Sequence, residues 1–144
     1  MLEVDTRGLE AFRHLAYLCS QSEHHRSYSR SDAERCILPP LALRQNRFLS
    51  SDNVVTGFAS WAFLTPDAAQ AFVDGTRKLG SLDWDKGSEL WLIDVIAPFR
   101  DVRWFCRSLR QHWSATYPEH PVVNFVRSGD RHRRRTLSME IANV

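Results

Sequence analysis

The sequence has 144 residues, of which 43% are hydrophobic and 25% are charged, and its formal net charge is +2. This is the composition of an ordinary soluble globular protein, and so small a charge does not by itself indicate a nucleic-acid partner. No run of about 20 apolar residues is available to cross a bilayer. The N-terminal stretch, with Glu3, Asp5 and Glu10, does not match a secretory signal. We therefore expect a cytoplasmic protein without a membrane span.

The cysteines point to the same compartment. Cys19, Cys36 and Cys106 are odd in number and widely spaced, and no CxxC motif is present. This usage fits reduced thiols better than a disulfide framework or a zinc site. We expect no bound metal.

Apolar residues recur at helical spacing over 9–19, and this first helix should begin after Asp5 or Thr6 and end near Ser20–Ser22. Pro39-Pro40 argues against regular helix locally and favours an extended entry into the next element. Further along, the patterns predict strands over 47–49 and 54–63 with a turn over 50–53, a helix from Pro66 to Gly75 or Gly80, a central strand over 89–97, a helix after Asp101, and strands over 122–126 and 136–141.

This order of elements indicates the fold class. Alternation of helices and strands with two hairpin-like pairs predicts an α/β or α+β domain, residues 1–144, with a central mixed sheet flanked by helices. In the helix after Asp101, the residues expected to face the core are Trp104, Phe105, Cys106 and Leu109. Trp61 and Trp91 are also candidates for the core.

The most informative segment is the central strand. Asp94 interrupts the apolar, β-branched run that begins at Trp91 and continues to Phe99. Removing a carboxylate from water is costly unless it is paired or hydrogen-bonded. Asp94 is therefore either a satisfied core carboxylate or part of a functional site.

A partner for such a carboxylate is available upstream. His24 and His25 follow the end of the first helix, where loops commonly carry functional groups. A histidine oriented by a carboxylate can act as a general base, because the acid fixes the tautomer and stabilises the imidazolium. Spacing along the chain permits a meeting of His25 with Asp94 but does not establish it, and either histidine is equally well an ordinary surface residue.

Three segments carry a more specific pattern. Residues 15–26 end in Ser-Glu-His-His-Arg, residues 58–62 read Phe-Ala-Ser-Trp-Ala, and residues 83–84 and 90–99 supply Asp-Trp and Leu-Trp-Leu-Ile-Asp-Val-Ile-Ala-Pro-Phe. Together they resemble the toxin-activating lysine acyltransferases, which acylate repeats-in-toxin (RTX) protoxins and read S-x-x-H-R, S-W-A and I-D-W-I-A-P-F in the same order. The resemblance runs from about Leu9 to Ser114, most of the chain.

The resemblance implies a fold related to the GCN5-type N-acetyltransferases and transfer of a fatty acyl group from acyl carrier protein, not acyl-CoA, to lysines of a protoxin. His25 and Asp94 match the family's catalytic histidine and aspartate, and Ser22 matches a serine with an accessory role. It also implies a homodimer and no bound cofactor, the acyl carrier protein thioester being a substrate. The residues agree with this donor, since no glycine-rich turn for a pyrophosphate is present.

The chain departs from the family pattern at three positions. Cys36 stands where well-known members have an asparagine, Tyr28 replaces a tryptophan, and Val95 replaces the tryptophan after the catalytic aspartate. Cys36 also raises a second hypothesis, in which its thiol carries the acyl group in a Cys–His–Asp relay. A buried structural cysteine is the commoner outcome.

A basic cluster near the C-terminus, containing Arg131, Arg133, Arg134 and Arg135, is the last candidate feature. It is either a solvated hairpin or a docking site for the acidic surface of acyl carrier protein. Nucleic acid is a poor partner, because no interleaved aromatic residues or known binding module accompany the cluster. The alternative to an enzyme is a non-catalytic module that binds acyl carrier protein or a toxin through this cluster.

Overall fold

The computed structural model describes residues 6–99, 102–128 and 134–141. Its elements follow one another as α1 (Thr6–Gln21), α2 (Arg30–Cys36), α3 (Leu38–Ala42), β1 (Asn46–Ser51), β2 (Val54–Leu64), α4 (Pro66–Asp74), β3 (Glu89–Ile96), α5 (Val102–Thr116), β4 (Val122–Ser128) and β5 (Arg134–Glu140). None of the helices in these ranges is both long enough and apolar enough to cross a membrane.

The five strands form one mixed sheet in the order β1-β2-β3-β4-β5. Neighbouring strands are antiparallel except β3 and β4, which are parallel and are connected through α5. The prediction of an α+β fold on a central mixed sheet is confirmed. Both predicted strand pairs are also present. The β1–β2 turn is narrower than predicted: it consists of Asp52 and Asn53, which have positive φ angles of 51° and 64°.

The start and the end of α4 agree with the sequence prediction. Thr65 caps its first turn by accepting a hydrogen bond from the Ala68 N–H, Pro66 occupies the first turn, and Gly75 ends the helix with φ of 68°. The prediction of Asp5 or Asp101 as a cap lies outside the described residues.

Two features before β1 differ from the sequence prediction. Residues 30–36, for which no helix was predicted, form α2, because Ser29 and Asp32 make a reciprocal capping box. Pro39 and Pro40 lie inside α3 and do not extend the chain, since a proline in the first helical turn replaces an N–H that has no partner within the helix.

The sheet buries a hydrophobic cluster against α5. Trp61 and Leu90 of the strands pack with Phe105, Leu109 and Trp113 of α5, and each of these side chains is at most 1% exposed. Phe105 and Leu109 therefore face the core as predicted. Trp104 does not: it is 54% exposed, because the buried stripe at helical spacing passes through 105, 109 and 113.

The opposite side of the sheet is covered by α1, α2 and α4. Leu15 and Leu18 of α1 pack on Phe58 and Ile96, and a separate cluster joins α4 to Trp91 and partly buried Ile93. The loop before β3 supports α2, since the buried Trp84 donates its indole N–H to the Arg35 carbonyl over 3.2 Å. This covering layer is divided among helices of 16, 7 and 9 residues, and the cavities described below border it.

Candidate active site

His25 lies in the turn after α1. The backbone N–H groups of His25 and Arg26 both donate to the Ser22 carbonyl, at 3.2 and 3.0 Å, so the chain reverses as soon as the helix ends. The imidazole is only 5% exposed and packs edge-on against the ring of Tyr28, with centroids 5.0 Å apart. A reversed turn with a buried ring holds the imidazole in one orientation.

Asp94 reaches the same place because β3 is irregular. Asp94 pairs with Ser60 and Leu92 pairs with Trp61, so Ile93 is an extra residue, a β-bulge. Leu92 packs with the α5 cluster and Ile93 with the α4 cluster. Strict alternation would then return Asp94 to the α5 side. The bulge instead leaves Ile93 and Asp94 on the same side of the sheet, and the carboxylate faces His25.

The side chains of Ser22, His25 and Asp94 form a hydrogen-bonded row. His25 Nε2 lies 2.9 and 3.0 Å from the two carboxylate oxygens of Asp94, and His25 Nδ1 lies 2.6 Å from Ser22 Oγ. A carboxylate can only accept, so Nε2 carries the proton and Nδ1 accepts from the serine hydroxyl. The structure thus brings together three residues that were singled out from the sequence, over a separation of 69 positions between His25 and Asp94.

Tyr28 is a fourth member that was noted only as a departure from the family pattern. Its hydroxyl donates to Asp94 Oδ2 over 3.1 Å. Burial, and then the nearby Asp94 charge, raises the pKa of Tyr28 well above its ordinary value, so the hydroxyl remains a donor at neutral pH. The sequence signal that could have identified Tyr28 is its position in the motif, two residues after Arg26.

A first cavity, the strand cleft, lies where β3 and β4 separate. Their pairing is limited to Trp91 with Asn124 and Leu92 with Phe125. Beyond that point a space of about 480 Å³ is lined by 92–95 and 125–127 of the strands and by His24, Tyr28, Cys36, Phe72 and Cys106. Asp94 and Arg127 are its charged residues.

A second cavity, the helix cavity, lies between α1 and α2 and measures about 510 Å³. Its lining consists of Phe12, Leu15, Ala16, Cys19, Ser20, His25, Arg26, Tyr28, Ser29, Ala33 and Ile37. His25 therefore borders one cavity while its partner Asp94 borders the other, and Tyr28 borders both.

Comparison with known proteins agrees with this constellation. Residues 4–138 match the sequence profile of the RTX toxin acyltransferase family. The chain belongs to this family. The separately observed Ser22–His25–Asp94 row lies within the matched residues.

Individual family members are about one-third identical to the chain. An RTX-II toxin-activating lysine-acyltransferase of Actinobacillus pleuropneumoniae is 32% identical over 99 residues, which are 69% of this chain and 62% of the relative. A protein-lysine palmitoyltransferase of Bordetella bronchiseptica is 32% identical over 115 residues, 79% of this chain and 60% of the relative. A protein-lysine myristoyltransferase of Escherichia coli is 32% identical over 95 residues, 66% and 55% respectively. The chain thus spans about three-fifths of the length of the curated relatives it matches.

Cys36 borders the strand cleft, but its thiol is poorly suited to be the nucleophile. Burial is the largest influence on Cys36 and raises its pKa, against the opposing effect of Arg35, and Asp94 raises it further. A nucleophilic cysteine needs the reverse, a thiolate stabilised by nearby positive charge. The environment favours the structural interpretation of Cys36.

The basic cluster is only partly described. Arg131 and Arg133 lie outside the described residues, while Arg134 and Arg135 are the first residues of β5, opposite Ser128 and Arg127 in the β4–β5 pairing. Their role as a docking site stays a prediction from the sequence.

Proposed function

We propose that the chain is a protein-lysine acyltransferase that transfers a fatty acyl group from the thioester of acyl carrier protein to lysine side chains of an RTX protoxin. The observation that carries the proposal is the part-buried Ser22–His25–Asp94 row, in which His25 borders one cavity and Asp94 borders the other. Membership of the family supports it, as do the lysine-acylating names of the relatives.

Removal of the amine proton is the first task. The ordinary pKa of a lysine side chain is about 10.4, so the amine is mostly protonated at neutral pH and must be neutral to attack a thioester. Asp94 holds the Nε2–H tautomer of His25, which leaves Nδ1 as the base. Because Ser22 Oγ occupies the acceptor side of the ring, the serine passes its proton to Nδ1 as it takes one from the amine.

The transfer step then balances in atoms and protons. The lysine ammonium gives its first proton to solvent, and the neutral amine nitrogen then forms a bond to the thioester carbonyl carbon. As this bond forms, the nitrogen loses its next proton through Ser22 to His25, which receives only this one. Backbone N–H groups of β3 at the strand cleft stabilise the oxyanion of the tetrahedral intermediate. When the C–S bond breaks, the imidazolium returns its proton to the departing thiolate, so the products are an amide and a thiol.

The partners are part of the same proposal. The donor is acyl carrier protein, which is expected to dock through Arg131, Arg133, Arg134 and Arg135, and no separate cofactor takes part. We further propose that residues 1–144 act as a single GCN5-related domain, that the protein is cytoplasmic, and that it forms a homodimer as the resemblance implies.

Intact-mass spectrometry tests the reaction. A candidate protoxin is incubated with long-chain acyl carrier protein and the wild-type chain, or with His25→Ala, Asp94→Ala or Cys36→Ala. His14→Ala is the matched control, because it removes an exposed imidazole of α1 that borders neither cavity. Acyl-lysine adducts are expected with the wild type, His14→Ala and Cys36→Ala, and not with the other two variants.

The alternatives give different results. A hydroxylamine-sensitive acyl group on the chain itself, lost in Cys36→Ala, would establish the cysteine relay. Failure to form any adduct with any acyl length, while acyl carrier protein still binds and binding survives His25→Ala, would establish the binding module.

A further inference from the structure

We propose that the helix cavity holds the alkyl chain of the acyl donor and sets the chain length that the protein accepts. The inference rests on the proposed function, because it assigns a place to one part of that substrate. It identifies the ligand of this cavity as a saturated hydrocarbon chain.

The lining of the two cavities differs in the way this assignment needs. The helix cavity has an apolar wall made by Leu15, Cys19, Ala33 and Ile37, with Phe12 and Ala16 at its exposed rim, and Arg26 is its charged residue. The strand cleft is lined by the carboxylate residue Asp94 and by Arg127 as well as by apolar residues, and it is bordered by two diverging strands. Hydrocarbon gains most where it leaves water for apolar surface, whereas strand edges and charges suit the amide-containing arm of the donor and the lysine.

The helix cavity also reaches the reacting groups. His25 lines it directly, and Tyr28 borders both cavities. A thioester whose carbonyl lies beside the Ser22–His25 pair can therefore place its alkyl chain in the helix cavity and its polar arm in the strand cleft.

The geometry of α1 gives the cavity a direction. Phe12, Ala16 and Ser20 follow one another at four-residue spacing, and Leu15 and Cys19 do the same, so one face of the helix forms the wall. From Ser20 to Phe12 the helix advances about 12 Å at 1.5 Å per residue. Ser20 lies near the end of α1 that leads to His25, so the methyl end of the chain points toward Phe12.

Chain-length profiles test the assignment. Transfer of octanoyl, dodecanoyl and palmitoyl groups is compared for the wild type, Ala16→Phe and Ala33→Phe, which add volume from α1 and from α2. Phe12→Ala enlarges the distal end. Ala115→Phe is the matched control, since Ala115 is exposed on α5 and does not border either cavity. Circular dichroism checks that each variant is folded.

The expected result is a change in preference. The ratio of palmitoyl to octanoyl transfer should fall about tenfold or more in Ala16→Phe and Ala33→Phe, within the range by which hydrophobic pockets discriminate chain length. It should rise in Phe12→Ala and stay constant in Ala115→Phe. A constant ratio in all four variants would overturn the assignment. The assignment would also be overturned if the chain-length ratio changed in Val126→Phe, which fills the strand cleft, but not in the helix-cavity variants.

A binding measurement separates this inference from the proposed function. If the wild type transfers no acyl group, the proposed function fails, and titration calorimetry with palmitate still tests the cavity. Palmitate binding that is lost in Ala33→Phe and kept in Ala115→Phe would support it. Equal binding by both variants, or none by the wild type, would overturn it.

Discussion

The two sides of the sheet use the same strands in opposite ways. On the α5 side, one 15-residue helix covers the strands with large side chains that leave almost no exposed surface. On the other side, the 16-residue α1, the turn after it and the 7-residue α2 surround the buried imidazole of His25 and the helix cavity, and the strand cleft opens between β3 and β4. The comparison teaches that the α5 side provides stability, while the α1–α2 side keeps polar groups and open space that a fully packed core would not contain.

The site shares its strand with the packed side. Leu92 and Val95 pack with the α5 cluster, while Asp94 between them binds His25. Substitutions on the two sides should therefore separate activity from stability, although the residues concerned are neighbours in sequence.

The largest expected effect is on acyl transfer, from a substitution on the α1–α2 side of the sheet. Asp94→Asn keeps the size of the side chain but allows its amide to donate to Nε2, which favours the tautomer that cannot accept a proton at Nδ1. By analogy with such changes in catalytic triads, acyl transfer should fall about 10⁴-fold. Single-turnover transfer measures this, and urea unfolding should remain cooperative. A rate above one-tenth of wild type would contradict the role given to Asp94.

On the packed side the effect should appear in stability. Trp113→Ala removes a completely buried indole and should lower the free energy of unfolding by about 3–5 kcal/mol. Trp104→Ala on the same helix removes a 54% exposed indole and should change it by about 0.5 kcal/mol or less. Urea titrations compare the two. Equal losses of unfolding free energy in the two variants would contradict the stabilising role of the buried side chains. Acyl transfer per folded molecule should be unaffected in both variants.

Ser22→Ala sharpens the comparison within the site. Loss of the hydroxyl that bonds to Nδ1 should reduce transfer about 10²-fold, the usual size of a proton-transfer contribution. Ser60→Ala is the control, because Ser60 is buried and is the strand partner of Asp94, and its hydroxyl has no partner among the described residues. A similar loss of transfer in both variants would argue against a specific relay through Ser22.

The smallest expected effect is a pH dependence on the packed side. His112 Nδ1 accepts from Arg47 over 3.2 Å, and burial together with the Arg47 charge lowers the pKa of His112. As the pH falls below about 6.5, the unfolded chain binds a proton at this residue more readily than the folded one, so the free energy of unfolding decreases. His112→Gln keeps an acceptor and removes the titration. Urea titrations across this pH range should show that the free energy of unfolding decreases less steeply in the variant than in the wild type. Parallel curves for the two proteins would refute the role of His112.

Local signals predicted most of the strands and helices because each depends on adjacent residues. Asp52-Asn53 marks the hairpin turn and Thr65-Pro66 the start of α4. The Ser29–Asp32 capping box was equally local, but it was overlooked because the short helix it begins contains no buried residue. Trp104 was wrongly predicted to face the core, because a large aromatic residue does not by itself indicate which side of an amphipathic helix it occupies.

The site was less accessible to sequence reasoning. His25, Asp94 and Ser22 could be singled out by the motifs, but their contact depends on the turn after α1 and on the extra residue in β3, and neither can be deduced from spacing. The hydrogen bond of Tyr28 and the helix cavity depend on how α1 and α2 pack together. Long-range packing of this kind has no counterpart in the periodicity of any one segment.

The bulge at Ile93 also limits how the strand can change in length. Removing this residue would restore a regular β2–β3 register, with the aspartate still opposite Ser60 and still turned toward His25. A straight β3 would, however, be able to continue its pairing with β4 beyond Leu92, where the two strands now separate. A one-residue deletion would thus leave the hydrogen-bonded row intact and still close the strand cleft. In family members, a gap at this position would be a sign of a closed cleft even where the serine, histidine and aspartate of the row are retained.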